Sequence, residues 1–118
     1  MSKHKNQPCM MDGYKFPSLA ERDRYIILKS RLQSGEISGL VLQPTFVILP
    51  AFHYWGKRIQ AVTFTADFKY SMPQKNKQDQ IIVEDVKGMT ARLTEAFGIR
   101  WKFVKAQNPT IKFRIVRM

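Results

Sequence analysis

Residues 81–87, Ile-Ile-Val-Glu-Asp-Val-Lys, most constrain how this chain can fold. Three consecutive β-branched apolar residues mark a strand covered on both faces, and such strands sit in sheets with helices packed against them. The strand then becomes charged, and Gly88 closes it. Asp85 and Lys87 lie two residues apart and so project from one face, roughly 7 Å from each other at about 3.3 Å of rise per residue. Ile81 and Val83 share that face. A carboxylate and an ammonium at the end of an apolar strand are costly to bury unless paired or held against a cation, and such groups gather at functional sites. Glu84 falls on the opposite face, outside a centre built round Asp85, where it is either solvated or paired with an arginine.

The flanking segments supply the other elements. Ser18-Leu19-Ala20-Glu21, preceded by Pro17, is a capping-box pattern, and Gly35 after Ser34 is a stop, which predicts a helix over 19–33. Its apolar stripe passes through Tyr25, Leu28 and Leu32, with Glu21 on the same face. Residues 44–53 and 58–70 read as an antiparallel hairpin turning at Tyr54-Trp55-Gly56-Lys57. Residues 71–80 read as a loop. A second helix is expected over about 90–106, with Leu93, Phe97, Val104 and either Trp101 or Phe103 facing inward, ended by Pro109. In the final strand, over 110–116, Ile111, Phe113 and Ile115 alternate with Lys112 and Arg114. The order helix, three strands, helix, strand gives an α/β (α+β) domain: one mixed sheet flanked by helices. Residues 1–11 carry no period and read as a flexible basic arm, leaving 12–118 as a single domain.

Charge names a class of partner. Twenty Lys and Arg stand against nine Asp and Glu, a net charge of +11, which points to a polyanion and above all to nucleic acid. After Asp85 the only acid is Glu95, while Arg100, Lys102, Lys105, Lys112, Arg114 and Arg117 crowd the same stretch. Arg100, Lys102 and Lys105 are the candidate phosphate contacts, and Tyr54 and Trp55 can stack on an unpaired base; a solvated face and a packed aromatic turn are the alternatives. Cys9 is the single cysteine, which excludes an intramolecular disulfide, a zinc finger and a CxxC redox site. His4 and His53 have no partners for a histidine-based centre. No apolar run approaches the roughly 18 residues of a membrane span, and the N-terminus lacks the apolar core of a signal peptide, so a cytoplasmic protein without a membrane partner is expected.

Asp67 lies near the end of the strand preceding 81–87, in Thr65-Ala66-Asp67-Phe68. If the chain folds strand 81–87 back beside it, Asp67 and Asp85 converge and repel unless a cation neutralises them. Mg²⁺ suits one or two carboxylates plus substrate phosphate oxygens, and a neighbouring lysine can orient the attacking water. Simpler roles also exist. Glu21 is the last member of the capping box, Asp67 can cap a turn, and Asp85 with Lys87 can form a surface ion pair.

Asp67 followed by Asp85-Val86-Lys87, after a helix bearing Glu21, resembles the PD-(D/E)XK nuclease superfamily. Asp12-Gly13, Phe16, Ser18, Glu21, Tyr25, Gly35-Glu36-Ile37, Leu40, Gln43 and Glu84-Asp85-Val86-Lys87-Gly88 are similar to a branch of small basic phage and prophage proteins there, near Holliday-junction-resolvase-like endonucleases. The resemblance spans about residues 12 to 117. Ala66 stands where the motif has Pro, and Asp85 where Glu is commoner. The resemblance implies a restriction-endonuclease-like core, αβββαβ, and a Mg²⁺-dependent endodeoxyribonuclease, with Mn²⁺ able to substitute. It implies Asp67, Asp85, Glu21 and the backbone carbonyl of Val86 as metal ligands, and Asp67, Asp85, Lys87 and Glu21 as catalytic residues. Branched or structured recombination or replication intermediates are the implied DNA substrate, in the host cytoplasm if phage-encoded. Paired cuts favour a homodimer. The alternative is a DNA-binding accessory protein that keeps the fold and does not cut; RNA binding would explain the charge but not the acids.

Overall fold

The computed structural model describes residues 8–118; the part of the expected arm over 1–7 lies outside the described residues. The rest of that arm is structured: Cys9–Met11 is a strand, β1, paired antiparallel with β2, Tyr14–Phe16. Asp12-Gly13 turns the chain between them, both at positive φ, a conformation glycine adopts freely and aspartate tolerates.

Helix α1, Leu19–Gln33, starts and stops where the capping pattern predicts, with the Ser18 side chain accepting from the Glu21 backbone N–H at 3.2 Å. Its buried face is Arg24, Tyr25 and Leu28. Leu32, expected on that stripe, is 38% exposed, because the last helical turn is left uncovered before the chain enters β3, Ser38–Leu42.

From β3 the chain runs out through β4 (Thr45–Leu49) and β5 (Phe52–Tyr54), and returns through β6 (Lys57–Ile59), β7 (Val62–Thr65) and β8 (Phe68–Gln74). Pairing of β4 with β7 and β5 with β6 makes the expected hairpin, interrupted at Pro50-Ala51 and Gln60-Ala61, but residues 68–70, expected in its second strand, lie beyond a bend, in β8. Its turn is Trp55-Gly56, with φ of +50 and +77 at successive positions, the pattern of a type I′ turn. Glycine accepts this; a bulky L-residue in the left-handed region costs about 1–2 kcal/mol.

Residues 71–80, expected as a loop, are a hairpin: β8 continues to Gln74 and β9 spans Lys77–Lys87, with Asn76 at φ +61 in the turn. The misleading signal is Pro73, which sits where the register shifts between Met72 and Gln74, the kind of bulge that tolerates proline in a strand. Helix α2 is Glu95–Gln107, shorter at its start than expected because Thr94 caps it, accepting from the Phe97 N–H at 3.0 Å. Leu93 therefore precedes the helix and is exposed. Of the two aromatic candidates, Trp101 packs inward and Phe103 is exposed.

The final strand, β10, Lys112–Arg117, completes a mixed sheet of order β10-β9-β8-β3, parallel between β10 and β9 and antiparallel elsewhere. One core joins this sheet to α1 through Phe16, Tyr25, Leu28, Phe68, Tyr70, Ile82 and Val86. The other, with Phe64, Ala66, Val83 and Val104, joins it to α2 and the β4–β7 pair. Strand β9 alternates between them, so it is covered on both faces, as its sequence requires. Among the described residues no helix is long and apolar enough to cross a membrane.

Candidate active site

Between β7 and β8 the chain bends at Ala66-Asp67, and pairing is carried across the bend by Gln43 N–H to the Asp67 carbonyl (2.9 Å) and Ala66 N–H to the Pro44 carbonyl (3.0 Å). Phe68 pairs with Glu84, so the antiparallel register continued one step brings Asp67 opposite Asp85. The bend also turns the Asp67 side chain to β9, where its Oδ2 accepts from the Val86 N–H at 2.6 Å. In an extended strand the N–H and C=O of one residue leave by the same edge, so the Val86 carbonyl also faces the Asp67 side.

Asp85 has a side chain only 6% exposed. Lys87 Nζ stands 2.8 Å from its Oδ2 and 4.3 Å from the centre of the Phe97 ring. Asp85 Oδ2 is buried, and among the described residues it has this cation beside it but no backbone or hydroxyl donor. The Asp85–Lys87 ion pair is therefore formed, but with its acid buried and not at the surface. Burial pushes the Asp85 carboxyl above the ordinary carboxylate range, outweighing the nearby Lys87 charge.

Glu21 reaches the same place from α1. The helix start uses its backbone N–H, while its carboxyl faces Asp67. Burial, then the charge and hydrogen bonding of Asp67, then the charge of Asp85, push Glu21 up to about 8. Burial and the Asp85 charge push Asp67 up to about 6 despite the Val86 N–H. The Glu21 carboxyl therefore holds a proton to higher pH than Asp67, which it faces.

The sequence-derived quartet Glu21, Asp67, Asp85 and Lys87 thus comes together at one end of the sheet, and clefts open around it. Glu21 and Lys87 line a cleft of about 720 Å³ with Gly88, Met89 and Ala91. Glu21 and Asp67 line one of about 280 Å³ with Gln43. Asp85 and Lys87 line one of about 230 Å³ whose rim includes Thr94 and Arg100. Arg100 accordingly borders the quartet, whereas Lys102 and Lys105 are exposed on α2 and border none of these three clefts. Lys105 instead lies 5.7 Å from the Trp101 ring centre. Among the described residues no three His, Cys, Asp or Glu side chains are gathered tightly enough to cage a metal by themselves.

Beneath the quartet is a buried polar cluster that sequence reasoning only half anticipated. Glu84 is fully buried and takes a bidentate contact from Arg24, 2.7 Å to each oxygen. Arg114 donates to it at 2.8 Å and to the Tyr70 hydroxyl at 2.6 Å, and Tyr70 in turn donates to Glu84. Burial alone would raise the Glu84 carboxyl, but these donors hold it below its ordinary value. An arginine partner was one of two expectations for Glu84; the solvated one is excluded. The available signals were Arg24, one helical turn from Glu21, and Arg114, which parallel pairing sets beside Glu84.

Comparisons with curated proteins and with solved structures return no match. Over residues 1–118 the chain matches, and belongs to, the family described as protein of unknown function, DUF1064.

Proposed function

We propose that this protein is a metal-dependent endonuclease of the PD-(D/E)XK type that hydrolyses DNA phosphodiesters, using Mg²⁺ with Mn²⁺ able to substitute. The observation that carries the reading is the convergence of Glu21, Asp67, Asp85 and Lys87 from α1, the β7–β8 bend and β9, with Asp85 Oδ2 buried against Lys87. Three acids held this close, two of them with their carboxyls raised by burial and one another, are costly to stability and are the kind of cluster a cation would relieve. The sheet and its helices occur in chain order α1, β3, β8, β9, α2, β10, which supports a restriction-endonuclease-like αβββαβ core.

The hard oxygen donors fit Mg²⁺, an ion that typically takes one or two carboxylates and completes its shell with water and substrate phosphate. Asp67 and Asp85 would hold it, with the Val86 carbonyl and Glu21 beside them. Bound there, it supplies polarisation of the phosphate, a more acidic water and stabilisation of the leaving oxygen. Lys87, steadied by Asp85 and the Phe97 ring, would donate a hydrogen bond from Nζ to the attacking water or a phosphate oxygen. Glu21 would release its proton when a cation replaces it against Asp67, and then accept a hydrogen bond from water. Arg100 at the cleft rim would take a flanking phosphate. The strong positive charge favours DNA bound through its backbone, and a homodimer would provide the two centres needed for paired cuts of a branched recombination or replication intermediate, phage-derived by the resemblance.

The test is cleavage of labelled Holliday-junction, flap, single-stranded and continuous duplex DNA in Mg²⁺ or Mn²⁺, comparing wild type with Asp85→Ala and Lys87→Ala. Metal-dependent cutting by wild type that falls at least 100-fold in both variants is expected. Tight binding without cutting under either metal would replace the nuclease with a non-cleaving accessory protein.

A further inference from the structure

The tip of the long hairpin has features that folding alone does not explain. Strands β5 and β6 make their substantial contacts only with each other, and every residue in both is exposed. Between them Trp55 is 89% exposed at φ +50, with Tyr54 63% exposed at a ring-centre distance of 6.4 Å. The first position of a type I′ turn belongs to Asn, Asp or Gly. Trp55 fills that position with a large aromatic side chain, whereas Asn76, the second residue of the β8–β9 turn, takes φ +61 with a side chain suited to it. A large aromatic side chain that is strained, unpacked and aimed at solvent is the kind of outlier from which function is inferred.

The surroundings choose the partner. From Ile37 to Ala66 there is no Asp or Glu, and the tip carries Lys57 and Arg58. Pairing of Tyr54 with Lys57 and of His53 with Arg58 puts one cation on each face of the hairpin behind Trp55. An aromatic ring backed by cations on a narrow ribbon suits an unpaired base, whose face stacks on the ring while the adjoining phosphates meet Lys57 and Arg58. A fully stacked duplex offers no free base face at its sides.

We infer that the Tyr54-Trp55-Gly56-Lys57 tip is a second nucleic-acid contact, at which Trp55 stacks on an unpaired base and selects DNA with single-stranded or branch-point nucleotides over continuous duplex. The inference rests on the nucleic-acid part of the reading above and not on its chemistry.

The experiment is fluorescence anisotropy with end-labelled DNA in EDTA, where no cutting occurs, comparing a duplex that carries a short single-stranded gap with a continuous duplex of equal length. Wild type, Trp55→Asn, Trp55→Phe and Lys57→Ala are measured. Trp55→Asn is expected to lower the ratio of gapped to continuous affinity about tenfold, within the range for loss of one base–aromatic stack. Trp55→Phe should retain most of the ratio, and Lys57→Ala, which removes a phosphate contact beside the stacked base, should weaken the gapped duplex more than the continuous one. Because Asn suits the turn, Trp55→Asn should also melt at a higher temperature than wild type, so any loss of binding cannot come from unfolding. An unchanged ratio in Trp55→Asn overturns the inference. So does an unchanged ratio with a lowered sedimentation coefficient, which would make the tip a contact between two copies of the chain. Cleavage by wild type in Mg²⁺ is scored separately: a shifted ratio with no cutting supports the tip contact and removes the nuclease.

Discussion

Glu21 stands where its burial works against the stability of the fold. Its carboxyl is pushed from the ordinary 4.5 to about 8, chiefly by burial and then by Asp67. The folded state therefore holds a proton that the unfolded chain has already released, and between those two values unfolding releases protons. Stability is then fully present below about pH 4.5 and declines as pH rises toward 8. In metal-free protein we expect the melting temperature to fall between pH 5 and pH 8, and Glu21→Gln, which cannot ionise, to flatten that fall. Divalent cation should restore the wild type more at pH 8 than at pH 6, because it offsets the charge that the fold otherwise resists. Differential scanning fluorimetry across pH, with EDTA or Mn²⁺, makes the comparison; an identical pH profile for Glu21→Gln would show that Glu21 is not the group responsible. That Glu21 faces inward was legible in sequence, because helical spacing put it on the inward stripe; its place beside Asp67 followed only from the resemblance. That it is protonated was not legible, because proton affinity is set by burial and neighbours from three elements.

At the scale of elements, the Arg24–Glu84 contact clamps α1 to β9, and Arg114 ties β10 to the same carboxylate. The clamp lies one helical turn from Glu21 and one residue from Asp85, so it fixes how the helix stands over the acids. Removing Arg24 leaves Glu84 with only Arg114 and Tyr70, and because Arg114 still offsets its charge, Arg24→Ala should lower unfolding free energy by up to about 3 kcal/mol in urea titrations, the low end for a fully uncompensated buried charge. Arg24→Met with Glu84→Gln should recover much of that loss; no recovery would mean the network acts through packing and not charge. Since Glu84 is held below its ordinary value, its contribution is present above the unfolded value near 4.5 and disappears as pH falls through the lower folded one. The elements differed in how far their sequence announced them. Helix α1 has both caps within its own sequence, so its ends were readable. The outer half of the β8–β9 hairpin was not, since Lys75, Lys77, Gln78 and Asp79 are exposed and backbone pairing leaves no apolar alternation in such residues. Strand β3 was hidden for a related reason: Gly39 at φ +63 sits in a register shift that breaks the period. The charged pair of the candidate site was readable nevertheless, because Asp85 and Lys87 occupy the stretch of β9 where apolar neighbours make charge conspicuous.

For the whole molecule the governing quantity is the field of 20 cations over nine acids, and the structure distinguishes cations that share a cleft with the acids from those that do not. Net charge alone would give every surface lysine an equal, diffuse share in DNA binding. A direct phosphate contact behaves differently: it releases condensed counterions, and each one contributes about 0.9 to the slope of log affinity against log salt. Arg100 borders the cleft lined by Asp85 and Lys87, while Lys105 lies over Trp101 on α2. Arg100→Ala should therefore reduce the magnitude of the salt slope for continuous duplex by about 1 and weaken binding at every sequence tested. Lys105→Ala removes the same formal charge from the same helix, and its slope should stay within error of wild type. Anisotropy titrations from 50 to 300 mM KCl in EDTA separate the cases on the order of a single contact. Equal slopes for both variants and wild type would mean that the field acts diffusely and that no phosphate rests at Arg100. A reduced slope for Lys105→Ala alone would move the DNA path away from the acids, where a phosphodiester could not reach them, and would count against cleavage at this centre.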